Sequence, residues 1–341
     1  MILPKDSAFR VVRLKTIPAV YSEASVPLGI SGALSQGFDA LLLQEDYPPF
    51  CQIFGALARR ENIPYIVSCE RYGYFFKMPM AAMNRAQDLT FNRILWKNAR
   101  AMTFHSRASA LFLSSLGAPV ERMYFTPTPT DSEVFTPKSP EPNRAQSSEV
   151  RIVCIARLVP AKGLFVLLDS VKILADGGLR GFTVHLQGRG PLAKSIQQHI
   201  QSHGLDGIVR LYDSAISLPH LPDFYRAADI YVQPSLNEPA PNACREAMAC
   251  GLPVVASLTG GLADVVTEGI TGFLVAPGDA KGLASALATL IRDPHRRAEF
   301  GKTARLKVER EMDLNVVASL YERIILGLVA EHDSANISIS H

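Results

Sequence analysis

The chain has 341 residues, 48% hydrophobic and 20% charged, which argues against a disordered chain and is too long for one ordinary core. With 35 basic and 32 acidic residues the formal net charge is +3, too mild to point to nucleic acid. Residues 1–150 hold 16 Lys and Arg against 13 Asp and Glu, so the small excess lies in the first half, where it would favour an anionic surface or acceptor. Cys51, Cys69, Cys154, Cys244 and Cys250 are odd in number and form no C-x-x-C. A zinc site or a disulfide framework is therefore not expected, and a reducing cytosol fits best. The opening residues lack the apolar core of a signal peptide, and no run of 18 apolar residues predicts a membrane span.

In chain order, strands are predicted at 9–14, 39–44, 64–69, 100–106 and 122–127, with helices at 50–61 and 79–98 between them. A Pro-, Ser- and charge-rich linker follows, and a second series begins at 150. Strands at 150–156, 182–188, 208–213, 229–235, 252–257 and 272–277 alternate with helices at 162–176, 191–203, 219–227 and 241–250. Residues 280–330 read as helical, with a frayed tail after them. Strands this rich in Val, Ile and Leu, alternating with helices, predict parallel sheets covered on both faces. The expected fold is α/β, with two Rossmann-like doubly wound domains facing a cleft. The expected boundaries are 1–137 for an incomplete N-terminal domain, 138–149 for the linker, 150–310 for the C-terminal domain and 311–341 for a helix and tail.

Ligands of such sheets bind beyond the carboxyl ends of the strands. After 150–156, Arg157 and Lys162 flank a turn that leads into a helix, a pair suited to a phosphate or diphosphate, although on spacing alone ordinary solvated loop cations are the commoner reading. After 182–188, Gly188 and Gly190 in GRGPL permit close backbone approach, to a ligand or simply within a turn. After 229–235 comes NEPAPNACREAMACGLPVVAS, 237–257, with Glu238 in the loop and Glu246 on the helix behind it. The amides of Asn242 and Ala243 at that helix start would carry partial positive charge. Two carboxylates with amides between them match the sugar, diphosphate and ribose of a nucleotide sugar. As a bare spacing of two glutamates, the signal is weak.

The ordered set ARLVPAKGL, LQGRGPL, FYRAADIYVQPSLNEP, EAMACGLPVVAS, Gly260-Gly261 and EGITGFLVAPGD resembles the retaining glycosyltransferases of family 4, which have the GT-B fold. The resemblance covers roughly 150–330 strongly and 39–137 more weakly. It implies that the C-terminal domain binds a nucleoside-diphosphate sugar and the N-terminal domain shapes the acceptor site. It assigns Arg157 and Lys162 to the diphosphate, Glu238 to sugar hydroxyls, Glu246 to ribose hydroxyls, and the Asn242 and Ala243 amides to the distal phosphate. It further implies front-face transfer with retention, in which leaving-group charge is stabilised by fixed cations and dipoles. The acceptor would be a glycan or a lipid-linked sugar. No D-x-D occurs, so neither a metal nor another cofactor is expected.

Three departures from the family pattern stand out. Pro239 and Pro241 replace glycines after the first Glu and remove two donors. Glu70, with Tyr72, Tyr74, Phe75 and Phe76 after it, stands where relatives often carry a His; Glu70 and Tyr72 are the acceptor-side candidates. The N-terminal series lacks the family's opening strands and Gly-rich loop, which raises the alternative of a non-catalytic or partner-dependent nucleotide-sugar-binding remnant and the expectation of a partner subunit. Residues 83–100 combine Phe91 and Trp96 with Arg85, Arg93, Lys97 and Arg100. That helix reads as a core-facing amphipathic helix, with peripheral contact at the inner membrane face as the alternative.

Overall fold

The computed structural model describes residues 16–18, 25–27, 38–44, 49–74, 80–138 and 149–339. The expected strand at 9–14, Phe75 and Phe76, and most of the linker lie outside these residues. The chain divides into two compact units: Met1–Phe104, Ala110–Phe125 and Glu322–His341 form the first, and His105–Ser109 with Thr126–Tyr321 the second.

In the first unit, β1 (Thr16–Pro18) and β2 (Ser25–Pro27) form a short antiparallel pair that the sequence reading did not anticipate. Four parallel strands follow in sequential order: β3 (Leu41–Gln44), β4 (Tyr65–Cys69), β5 (Ala101–Phe104) and β6 (Met123–Phe125). Between them run α1 (Pro49–Arg60), α2 (Met80–Gln87), α3 (Arg93–Asn98) and α4 (Arg107–Ser115). The single helix expected over 79–98 is interrupted by a π-helical turn, Asp88–Asn92. All five residues of β4 are buried, as a central parallel strand requires. Trp96, Leu95, Met102 and Leu113 fill the core around it.

The second unit holds six parallel strands: β7 (Val150–Ile155), β8 (Phe182–Gln187), β9 (Val209–Tyr212), β10 (Ile230–Gln233), β11 (Val254–Ser257) and β12 (Gly272–Val275). Their order is β9-β8-β7-β10-β11-β12, that of a doubly wound nucleotide-binding sheet, with its switch point between β7 and β10. Alternation along each strand feeds two cores. On one face Ile152, Cys154, Ile230 and Val232 pack against α5 (Leu164–Asp176), α6 (Ala193–Ser202) and α10 (Ala280–Arg292). On the other, Val153, Tyr231, Val254 and Ala256 pack against α7 (Leu221–Arg226), α8 (Asn242–Ala249) and α11 (Pro294–Glu311). Large-to-small changes at Leu167 or Leu287, both wholly buried, would each cost about 2–5 kcal/mol.

Helix α8 ends in a glycine motif: Gly251 has φ of 76°, its amide donates to Met248 O, and the Leu252 amide donates to Ala247 O. Beside it, a Cβ on Gly301 would stand 2.1 Å from Gly251 O, so α11 lies almost against the end of α8. A short helix, α9 (Leu262–Val265), follows β11. The last helix, α12 (Leu314–Ile339), continues through the tail expected to fray, and from Glu322 onward it belongs to the first unit. Among the described residues no helix is long and apolar enough to cross a membrane.

Candidate functional site

The switch point of the second unit brings the loops after β7 and β10 together. After β7, a 3-10 turn at Pro160–Lys162 is closed by Gly163 in the left-handed region, φ 61°. A Cβ at Gly163 would stand 2.0 Å from Pro234 O, so only glycine admits the β10 loop at this distance. From that loop, the amides of Leu236 and Asn237 both donate to Ala161 O, at 2.8 and 3.2 Å. The two loops are thus strapped backbone to backbone before any side chain is considered.

The strap sets Lys162 against Glu238. Lys162 Nζ donates to Glu238 Oε2 at 2.5 Å. The same oxygen accepts from Gln233 Nε2 at 2.5 Å and from Ser235 Oγ at 3.0 Å. Glu238 is only 4% exposed, and a carboxylate so buried needs donors of this kind. Its backbone carbonyl accepts from the Gly261 amide at 2.8 Å, and a Cβ at Gly261 would stand 2.5 Å from Pro239 O. Gly261 is therefore the counter-surface for the Glu238–Pro241 loop. Arg157 is exposed in the same β7 loop.

Pro241 is the N-cap of α8 rather than a residue of its first turn. The Asn242 amide donates to Ala240 O at 2.9 Å, so this donor is already engaged. Ala243 is among the first residues of α8, whose amides have no acceptor within the helix. Asn242 itself is exposed at the helix tip, and its side-chain oxygen accepts from Arg245. Glu246, on the same helix, accepts from Tyr225 Oη at 2.8 Å. Burial raises its pKa above the ordinary carboxylate value, against the opposing pull of the tyrosine bond and Arg245.

Gly188 and Gly190 have a packing role that the sequence left open. A Cβ at Gly188 would fall 1.8 Å from Ala156 O, and one at Gly190 2.4 Å from Leu158 O. Leu158 N donates to Arg189 O and Leu192 N to Leu158 O, so the β8 loop props the β7 loop that carries Arg157 and Lys162. Glu238, Arg157, Lys162, Gly188 and Gly190 thus lie in the loops after β10, β7 and β8 of the second unit, and Asn242, Ala243 and Glu246 on helix α8.

Glu70 and Tyr72 belong to the first unit, half-buried in the segment after β4. The structure adds a group there that was not expected. Arg71 forms a two-pronged pair with Asp88, at 3.1 and 2.8 Å, and Tyr74 Oη and Asn92 Nδ2 each donate to the same carboxylate at 2.6 Å. Asp88 sits in the π-helical turn, 1% exposed, and Arg71 also lies 5.7 Å from the centre of the Phe112 ring. This cluster pins the segment carrying Glu70 and Tyr72. An Arg and a Tyr near one another in sequence gave no sign of a shared carboxylate 14 and 17 residues on. Gln233, Ser235 and Tyr225 were likewise missed, although the alternation of β10 puts Tyr231 and Gln233 on one face.

The helix around 83–100 is only partly core-facing. Leu95 and Trp96 are buried, whereas Phe91 is 63% exposed and Ile94 54%. With Gln52, Gly55, Ala56, Arg59, Tyr65 and Leu95 these two line a cavity of about 220 Å³. Among the described residues no group of His, Cys, Asp and Glu could hold a metal ion.

Residues 135–307 match the family described as "Glycosyl transferases group 1", and the chain belongs to that family. It is 30% identical over 223 residues to the amylovoran biosynthesis glycosyltransferase AmsK of Erwinia amylovora, covering 62% of this chain and 53% of that protein. It is 27% identical to a GDP-mannose-dependent alpha-(1-6)-phosphatidylinositol monomannoside mannosyltransferase of Mycolicibacterium smegmatis, covering 74% of this chain and 68% of the relative. Against the first relatives it matches, the chain spans about half their length. Among solved structures it is similar to a sucrose-phosphate synthase from Thermosynechococcus elongatus, with TM-score 0.73, 22% identity, and 94% and 83% of the two chains covered. It is also similar to Anabaena Alr3699/HepE in complex with UDP, with TM-score 0.74, 20% identity, and 87% and 82% covered. These likenesses establish the GT-B fold class.

Proposed function

We propose that this chain is a retaining glycosyltransferase that moves a sugar from a nucleoside-diphosphate sugar to a hydroxyl of a glycan or lipid-linked acceptor, with no metal ion. The observation that carries the reading is the Lys162–Glu238 pair, seated at the switch point of a doubly wound sheet with Arg157 in the same loop. A fixed cation next to a fixed carboxylate divides a ligand into an anionic part and a hydroxylated part. Arg157 and Lys162 take the diphosphate, with the Ala243 amide at the start of α8. Glu238 accepts from sugar hydroxyls, and Glu246 from those of the ribose. The Asn242 amide joins the phosphate contacts only by leaving Ala240 O. Gly188 and Gly190 serve by holding the cationic loop in place. Structures of Anabaena HepE, a protein of this fold, contain UDP and UDP-glucose, which is consistent with such a donor.

In the transfer, the bond from the anomeric carbon to the phosphate oxygen breaks as the acceptor oxygen bonds to the same face of that carbon. The acceptor proton passes to the leaving phosphate oxygen. The protein's part is to hold the two cations and the helix amide where negative charge grows. Glu70 and Tyr72 are assigned to the acceptor side. Phe91 and Ile94, with Arg93 and Lys97 nearby in sequence, are assigned to peripheral contact with an anionic membrane face.

A screen of UDP-, GDP- and ADP-sugars by saturation-transfer NMR, followed by donor hydrolysis and transfer assays, tests the reading. One class of donor is expected to bind and turn over, and Lys162→Ala and Glu246→Ala to abolish turnover. Binding to none of the three classes would sink it.

A further inference from the structure

The two glutamates of the site are braced by one buried pair of tyrosines. Tyr225 Oη donates directly to Glu246 Oε2 at 2.8 Å. Tyr231 Oη donates to Gln233 Oε1 at 3.1 Å, and Gln233 Nε2 in turn donates to Glu238 Oε2 at 2.5 Å. The two rings pack edge to face with centroids 5.9 Å apart, and neither is accessible to solvent.

The relay can run in only one direction. Burial pushes the Tyr231 hydroxyl well above its ordinary value, so it stays protonated and donates. An ionised Glu238 only accepts. The amide of Gln233 must therefore present its oxygen to Tyr231 and its NH2 to Glu238. Strand β10 supports this geometry, because Tyr231 and Gln233 are two residues apart and share a face, while Ile230 and Val232 enter the opposite core.

We propose that Gln233, held by Tyr231, is a positioning residue that fixes the Glu238 carboxylate when Lys162 turns to the donor. This inference rests on the transferase reading above. Without ligand, Glu238 Oε2 takes three donors, one of them Lys162. A diphosphate draws on that ammonium, whose three protons are then divided between carboxylate and phosphate. Gln233 and Ser235 keep the carboxylate oriented toward the sugar through that exchange. The neutral amide does this without competing for the phosphate, which a second cation at the same place would do.

The test uses the full-length protein and the donor found to turn over. Gln233→Met removes the relay at similar volume, and Tyr231→Phe removes only its outer hydroxyl. Gln233→Met is expected to lower kcat about 10- to 100-fold, the loss of one hydrogen bond to a charged group, with donor Kd changed less than about threefold. Tyr231→Phe is expected to lower kcat about threefold to tenfold. Because Tyr231 acts through Gln233, the double variant should be no slower than Gln233→Met alone. A merely structural role would make the two losses multiply and would raise Kd along with lowering kcat, and that result overturns the proposal. In ligand-free protein, a double-mutant cycle between Gln233→Met and Glu238→Gln, read in urea melts, should show coupling of at least about fivefold in the unfolding constant. Zero coupling there overturns the proposal whatever the activity. A wild-type protein that turns over no donor, with the coupling intact, fails the transferase reading instead.

Discussion

Lys162 and Glu238, 76 residues apart in the chain, meet at 2.5 Å because two amides of one loop share a single carbonyl of the other. The side-chain pair is a consequence of a backbone strap. Their side chains are 16% and 5% exposed, so solvent screens them little.

Removing the lysine takes the cationic donor from a nearly buried carboxylate. Lys162→Ala should therefore destabilise the protein by about 3 kcal/mol in urea melts. Glu238→Gln should cost less, because an amide oxygen can still accept from Ser235. A Lys162→Ala melt indistinguishable from wild type would show that the pair contributes nothing to the fold.

Glu246 makes stability depend on pH. Its folded-state pKa stands above the ordinary 4.5, chiefly through burial. The native protein therefore holds the proton after the unfolded chain has released it, and the stability linked to this group falls as pH rises above that ordinary value. Glu246→Gln keeps an acceptor for Tyr225 and abolishes the titration. As the pH is taken upward from the ordinary carboxylate range, the variant should gain in Tm relative to wild type while losing donor affinity. A Tm difference constant across that rise in pH would refute the assignment.

Gly188→Ala drives a methyl group toward Ala156 O, where 1.8 Å is available. Backbone has to move, and a loss of roughly 2–3 kcal/mol is expected. Since the loop that moves carries Arg157 and Lys162, donor Kd should rise as well. Calorimetric titration of a folded Gly188→Ala protein with unchanged affinity would separate the two loops.

The exposed face of the first unit yields a prediction independent of chemistry. Phe91→Glu and Ile94→Glu, singly and together, should reduce co-sedimentation with vesicles containing anionic lipid severalfold. Donor hydrolysis should be unchanged, since neither residue belongs to the second unit. Equal sedimentation of wild type and double variant would remove the membrane assignment.

Much of this architecture was legible in sequence because parallel strands buried on both faces leave unbroken apolar runs, and all six strands of the second unit fall within the runs expected. Helix ends were legible where Gly251 and Pro253 mark them. What could not be read is whatever depends on a partner distant in the chain. The packing role of Gly188 and Gly190 was hidden because the carbonyls they admit belong to Ala156 and Leu158, more than thirty residues earlier. No motif marked Asp88, because its partners Arg71 and Tyr74 lie 17 and 14 residues before it in the chain. Pro239 and Pro241 carry no N–H, as the sequence already states, but the engagement of the Asn242 amide by Ala240 O depends on a local turn that composition does not specify. For the same reason Gln233 read as one more residue of a buried strand.

The shared acceptor at Ala161 bears on how this site could be moved between members of the family. Two segments, 156–163 and 233–241, act as a single graftable cassette, since the carbonyl of one positions the amides of the other and Gly163 fits only under Pro234. A chimera that imports one segment from a homologue inherits a mismatched seam and lysine and glutamate that no longer meet. Importing both carries the pairing intact, so donor preference should travel between relatives in two pieces or not at all.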